Sequence, residues 1–148
     1  MRHIKSFNSD ERGSTLVEYS IAALVFVTSM FAVMEFGRAL WVHNALSDAT
    51  RRGARYAVLN SPANIAQVKN VVVYGDPAGG TKSIVPNLST NDVTVTYSDM
   101  AVNTGSATVS INSYQFQFVI PIVGTTINMP KYTTSLTGES AGFIPPNR

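Results

Sequence analysis

The sequence predicts an α+β protein with a long N-terminal transmembrane and stalk helix, a shorter second helix, and a small antiparallel β-sheet packed on the helix. Three observations predict this class. Residues 14–34 are mostly apolar and carry a single charge, and residues 35–59 continue with apolar residues at helical spacing and without proline. Beyond residue 92, apolar and polar residues alternate with the two-residue period of β-strands.

The composition restricts the classes of function that the chain can have. Only 14% of its 148 residues are charged, against about 25% in soluble domains, and a net charge of +2 is too small to indicate nucleic-acid binding. The chain has no cysteine, which excludes disulfides, thiolate metal sites and a cysteine nucleophile. With only two histidines and scattered acidic residues, we expect no catalytic residues, no metal site, no cofactor and no small-molecule substrate.

The apolar run at residues 14–36 has the length of a membrane span, because a helix needs about 20 residues to cross the hydrocarbon core. A cleaved signal peptide has a shorter apolar region, of about 7–15 residues, and a small-x-small cleavage site that residues 31–35 do not offer. A buried core helix is the other alternative. We expect a retained transmembrane helix with its N-terminus in the cytoplasm, since long C-terminal domains are translocated largely regardless of their charge.

The helix is predicted to continue beyond the membrane as an amphipathic stalk over residues 37–60. Asp48 precedes Arg51 and Arg52 by three and four residues, a spacing that predicts an ion pair. Small residues recur at every fourth position and line one narrow stripe, which lets another segment approach closely. That segment is the protein's own outer domain or a neighbouring subunit, and both can pack on opposite faces of the helix. The small-residue stripe consists of Ala45, Ala49, Gly53 and Ala57.

Residues 61–148 are predicted to form the outer domain, which begins with the second helix. The residue before a proline is disfavoured in a helix, so the long helix ends before Pro62. Ser61 then caps the second helix, with Pro62 in its first turn. This helix is expected to reach Gly75, although the β-branched residues 71–73 also fit a strand.

Four strands follow, and the alternation places one face of each on the core. Its parity shifts at Asn112 and Ser113, which predicts a bulge or a bend there, and Pro121 ends the third strand. The fourth strand covers about residues 132–140. The inward positions are Val93, Val95 and Tyr97 in the first strand, Ala107, Val109 and Ile111 in the second, Tyr114, Phe116, Phe118 and Ile120 in the third, and Leu136 in the fourth.

Two segments carry a resemblance to a known family. A short polar leader ends in Gly13 and is followed by Ser14-Thr15-Leu16-Val17-Glu18-Tyr19 and the apolar helix; this resembles the type IV prepilin signal. The stretch "MEFGRALWVHNALSDATRRGARYA", residues 34–57, is similar to the TadE/TadG family of tight-adherence (Tad) pilin-like proteins. Residues 71–80, the strand before Pro121 and the closing strand up to Glu139 also look like TadE.

The resemblance implies a minor pilin or pseudopilin of a Tad-type (type IVc) pilus, acting in pilus assembly and adhesion. A prepilin peptidase would remove the leader, residues 1–13, by cutting between Gly13 and Ser14. Glu18 and Tyr19 would then be the fifth and sixth residues of the mature chain. In type IV pilins the glutamate at this position is thought to set the register between subunits. The alternative is that Glu18 simply reaches the lipid headgroups.

The implied location is the bacterial inner membrane, with the outer domain periplasmic or extracellular, and the protein either enters the pilus or primes it. The implied partners are the peptidase, other pilins and the Tad assembly platform. Two rival interpretations are a single-pass membrane-anchored binding module and a pseudopilin of a type II secretion system. The first leaves Gly13 and Glu18 without a purpose, while the Glu18-Tyr19 pair and the arginine-rich stalk favour Tad over the second.

Overall fold

The computed structural model describes residues 11–98, 105–119 and 126–138. Helix α1 covers Glu11–Leu59, so the predicted long helix is confirmed. Contacts divide the chain into two units, Met1–Gly37 and Arg38–Arg148, and each is described by itself.

The first unit contains, in its described part, the N-terminal portion of α1. Its large apolar side chains point to the exterior; Leu24 and Phe26, for example, are both about two-thirds exposed. Two hydroxyl groups within the apolar run are satisfied by the helix itself. Ser20 Oγ donates to the Leu16 carbonyl at 2.7 Å, and Ser29 Oγ donates to the Val25 carbonyl at 2.8 Å. Because these donors are paired within the helix, they suit a surrounding without water.

The second unit begins with the rest of α1 and turns at Ser61, as predicted. The Ser61 hydroxyl accepts a hydrogen bond from the Ala63 amide at 3.3 Å, and Pro62–Asn64 form one turn of 3-10 helix before α2, Ile65–Tyr74. Gly75 ends α2 in the left-handed conformation with φ 79°, and its amide donates to the Val71 carbonyl at 3.0 Å. Residues 71–73 are therefore helical, and all three valines are buried.

A three-stranded antiparallel sheet covers α1 and α2, with β1 at Val93–Ser98, β2 at Ser106–Ile111 and β5 at Tyr132–Thr137. The strand order is β1-β2-β5. The register aligns the predicted inward residues in rows: Val93 and Ile111 share a row with Tyr132, which was not predicted, and Tyr97, Ala107 and Leu136 form another. The core lies between this face and the helices, where Leu46, Val72 and Val109 are fully buried.

The opposite face of this sheet is made of one kind of side chain. Every outward position of the three paired strands is a serine or threonine, so the face carries hydroxyl groups and neither charge nor large apolar groups. Some of the hydroxyls bond to one another across the strands, as Thr108 Oγ1 does to Ser135 Oγ at 2.9 Å. The nine residues are Thr94, Thr96, Ser98, Ser106, Thr108, Ser110, Thr133, Ser135 and Thr137.

The predicted third strand is wrong in its length and in its sheet. β3 covers only Gln115–Gln117, and it pairs with β4, Thr126–Asn128, in a separate two-stranded sheet. The parity shift at Asn112 and Ser113 marks the end of β2 rather than a bulge within a strand, since residues 112–114 lie between β2 and β3 and belong to neither. β4 was not predicted from the sequence. Ile120, Pro121 and the end of the fourth predicted strand beyond residue 138 lie outside the described residues.

Candidate assembly and membrane site

Helix α1 is long and apolar enough to cross a membrane once. Its most apolar 18-residue window has a mean hydropathy of 1.9, and none of that window is buried inside the protein. A core helix of a soluble protein would be mostly buried. The side chains of this apolar window are not buried, which suggests a helix that is anchored in a membrane.

The predicted cleavage and assembly residues lie in the first turns of α1 and are exposed in the part of the chain that the structure describes. Gly13 and Ser14 are exposed, and a Cβ at Gly13 would meet nothing within 4 Å. Glu18 is exposed and Tyr19 is 73% exposed. Among the described residues, Glu18 forms no hydrogen bond or ion pair. Ser14 and Glu18 are four residues apart and thus share one face of the helix.

The small-residue stripe packs against α2 and β2 within the second unit. Ala49 and Ala57 are fully buried, and Ala45 is partly buried against the same core. Gly53 gives the closest approach: a Cβ there would overlap Val72 Cγ2 of α2 and lie 3.3 Å from Val109 Cγ1 of β2. Of the two neighbours considered from the sequence, the chain's own α2 and sheet are the ones present at the stripe.

Polar side chains tie the stalk portion of α1 to strand β5. His43 Nδ1 and Tyr132 Oη form a 2.8 Å hydrogen bond, with the rings packed edge to face. Thr50 is buried, donates to the Ser47 carbonyl at 2.8 Å, and lies 2.9 Å from the Thr134 hydroxyl. Burial raises the pKa of the Tyr132 hydroxyl above its usual value. These bonds fix the rotation of α1 against the sheet.

A cleft of about 250 Å³ opens beside the start of α1 in the second unit. Arg38 anchors its wall: Nη2 donates to the Gln117 carbonyl, and the guanidinium carbon lies 4.3 Å from the centre of the Phe116 ring, a cation–π contact. Tyr114 Oη donates to the Pro86 carbonyl at 2.8 Å. Burial raises the Tyr114 pKa, and the nearby Arg38 charge partly opposes this rise. The cleft is lined by Arg38, Trp41, Val42, Pro86, Asn87, Tyr114, Gln117, Phe118 and Val119.

Sequence reasoning missed this cleft, because it depends on contacts between residues far apart in the chain; Arg38 and Gln117 are 79 positions apart. The sequence signal that could have indicated it is Trp41, the chain's one tryptophan, five residues after the predicted span. The predicted ion pair of Asp48 forms with Arg52 rather than with Arg51. Within residues 11–98, 105–119 and 126–138, no three His, Cys, Asp or Glu side chains group to hold a metal ion.

Comparison with known proteins gives a family match and nothing beyond it. The family model described as TadE-like protein matches residues 13–55. No curated protein and no solved structure matches the chain. The matched residues lie within α1 and include Gly13, Glu18 and most of the small-residue stripe. The outer-domain segments that look like TadE lie beyond the match. Over residues 13–55 the chain is therefore similar to the TadE-like proteins, a pilin-like family, and the resemblance predicted from its sequence is confirmed there.

Proposed function

We propose that this protein is a minor pilin or pseudopilin of a Tad-type pilus, trimmed by a prepilin peptidase and acting in pilus assembly and adhesion. The observation that carries the proposal is the TadE-like match over residues 13–55, which coincides with a helix that has no buried residue in its most apolar window. An apolar helix without a covering domain suits a protein that exchanges lipid for the helices of other subunits. The proposal includes no chemical reaction of the protein's own.

The proposed peptidase cut lies between Gly13 and Ser14. Both residues are exposed, and a Cβ at Gly13 would meet nothing within 4 Å, so among the described residues no side chain covers the bond that the peptidase would cut. The cut removes residues 1–13 and leaves a new α-amino group on Ser14. We place the N-terminus in the cytoplasm and the second unit on the outer side of the inner membrane, since long C-terminal domains are translocated readily.

Glu18 is proposed to set the register between subunits. An ionised carboxylate within a span costs about 2.5–3.5 kcal/mol at the bilayer centre and less towards the ends. In the described residues no side chain offsets this cost. The new amino group of an adjacent subunit would neutralise Glu18 only when the two helices are aligned, so assembly would relieve the cost at one register. The partners in this step are other pilins on the Tad assembly platform.

The proposal is tested by the intact mass and N-terminal sequence of the protein purified from native membranes. A chain that begins at Ser14 supports the prepilin route, and Gly13→Asp, which changes the residue before the cut, should then retain the leader. The matched control is Gly37→Asp, which alters a glycine of the same helix outside the signal. An uncut chain in the unsubstituted protein would contradict the proposal and favour a membrane-anchored binding module.

A further inference from the structure

The surface around the cleft combines exposed apolar side chains with an arginine. Trp41 is 53% exposed and Val119 is 75% exposed, and both line the cleft with Arg38 and the half-buried Phe118. Grouped apolar side chains of this size mark a surface that another body covers. Tryptophan beside arginine is typical of the membrane–water interface, where the indole lies among the headgroups and the guanidinium group reaches phosphate or water.

The position of these residues on α1 indicates which body covers them. The predicted span ends at Phe36, and Arg38 and Trp41 follow it by two and five residues in the same continuous helix. At about 1.5 Å per residue, the backbone at Trp41 is about 8 Å beyond the span. The headgroup layer is about 5–8 Å thick on each side of the hydrocarbon core. The Trp41 backbone therefore lies at the outer edge of the headgroup layer, and its side chain leans back towards the span because helical side chains tilt towards the N-terminus.

Arg38 brings the end of β3 to the same level of the helix. Its hydrogen bond to the Gln117 carbonyl and its contact with the Phe116 ring attach β3 directly to the first turn of α1 in the second unit. Phe118 packs edge to face on Phe116 with ring centres 5.2 Å apart, and Val119 is the next residue. The exposed side chain of Val119 is thus carried by a segment fixed at the depth of Arg38.

We propose that this surface, the interfacial patch formed by Trp41, Phe118 and Val119 around Arg38, rests on the phospholipid bilayer that α1 crosses. Headgroups and the upper acyl carbons of the nearer leaflet cover the apolar side chains, and the bilayer is the occupant because the patch is continuous along α1 with the span. The patch is a second membrane contact of the protein. It depends on α1 spanning a membrane and not on the pilus role.

The experiment uses the full-length chain at low density in phosphatidylcholine vesicles. Because the protein has no cysteine and one tryptophan, Val119→Cys can carry a single environment-sensitive fluorophore, and Trp41 reports without a label. Ile65→Cys is the matched control. Ile65 is also β-branched and exposed, but it starts α2, which is held near Tyr56 by the 2.9 Å bond from Tyr56 to Gln67. Leu24→Cys, inside the span, is the positive control.

Lipids brominated at the upper acyl carbons should quench the Val119 label and Trp41 and leave the Ile65 label unchanged. The Val119 label should also emit at a shorter wavelength than the Ile65 label. Equal, water-like emission at both positions overturns the proposal, as does a Trp41 that brominated lipid leaves unquenched. A Val119 label shielded from aqueous iodide but unquenched by lipid also overturns it and assigns the patch to another protein molecule. A Leu24 label that brominated lipid does not quench would contradict both the membrane span and the proposed patch.

Discussion

Replacing Gly53 with alanine tests whether the protein's own outer domain packs on the small-residue stripe. The new Cβ would overlap Val72 Cγ2 and lie 3.3 Å from Val109 Cγ1. Both valines are fully buried and are stiff at χ1, so neither moves aside freely. Overpacking a core lowers the free energy of unfolding by about 1–3 kcal/mol. Replacing a helical glycine with alanine raises it by about 1 kcal/mol. We expect Gly53→Ala to lower the free energy of unfolding by about 1 kcal/mol net, and by at most about 2.

The assay is urea unfolding of the full-length chain in detergent micelles, followed by Trp41 fluorescence and far-UV circular dichroism. Gly37→Ala is the matched control, because Gly37 lies in the same helix and nothing is within 4 Å of its Cβ position. The control should lose no stability and can gain up to about 1 kcal/mol. If Gly53→Ala gained as much stability as Gly37→Ala, the packing of the stripe on the outer domain would be refuted.

A double-mutant cycle with Val72→Ala identifies the contact responsible. Val72→Ala alone leaves a cavity and destabilises the core. It also removes the methyl group that a Cβ at position 53 would overlap. The double variant should therefore lose less stability than the sum of the single losses, with a coupling of about 0.5–3 kcal/mol. Additive losses would show that the substitution at Gly53 acts through some contact other than Val72.

Glu18→Gln should still allow cleavage of the leader but reduce the number of pili counted by electron microscopy. A normal number of pili would contradict the hypothesis that Glu18 sets the register between subunits. Tyr114→Phe removes the hydrogen bond to the carbonyl of Pro86, an exposed residue, and should cost about 0.5–1.5 kcal/mol in urea titrations. Tyr97→Phe should leave the free energy of unfolding unchanged, since the Tyr97 hydroxyl is buried without a partner among the described residues. Equal losses of stability in the two variants would contradict the hydrogen bond from Tyr114 to Pro86. Burial raises the pKa of Tyr97, Tyr114 and Tyr132, so above about pH 10 the unfolded chain loses these protons first and stability falls. A urea midpoint that stays constant through that pH range would argue against buried tyrosines.

The helices were predictable because their signals are local. The segment with an open alternative was residues 71–73, whose β-branched side chains also fit a strand. The helix is formed there because Val72 packs on α1 at Gly53 and because Gly75 adopts the left-handed conformation that ends α2. The stripe on one helix and the ambiguous valines on the next were therefore parts of one contact, which neither pattern shows alone.

The second sheet and the cleft could not be derived from local patterns. β3 and β4 have three residues each, too few for a clear alternation, and the position of β3 is fixed by Arg38 from a distant part of the chain. The hydroxyl face was different. Alternate serines and threonines are visible in each strand, but only the register shows that they form one continuous surface without charge.

The stalk portion of α1 has two opposite faces with separate roles. At about 100° per residue, Asn44, Arg51 and Arg55 lie opposite the small-residue stripe, and all three are exposed. Among the described residues neither arginine has an ion-pair partner. Because the stripe is filled by the chain's own outer domain, a neighbouring pilin can approach this part of the helix only from other sides. Substitutions in the stripe should therefore impair folding before assembly, whereas Arg55→Ala should leave the urea midpoint unchanged and act, if at all, on contacts between subunits.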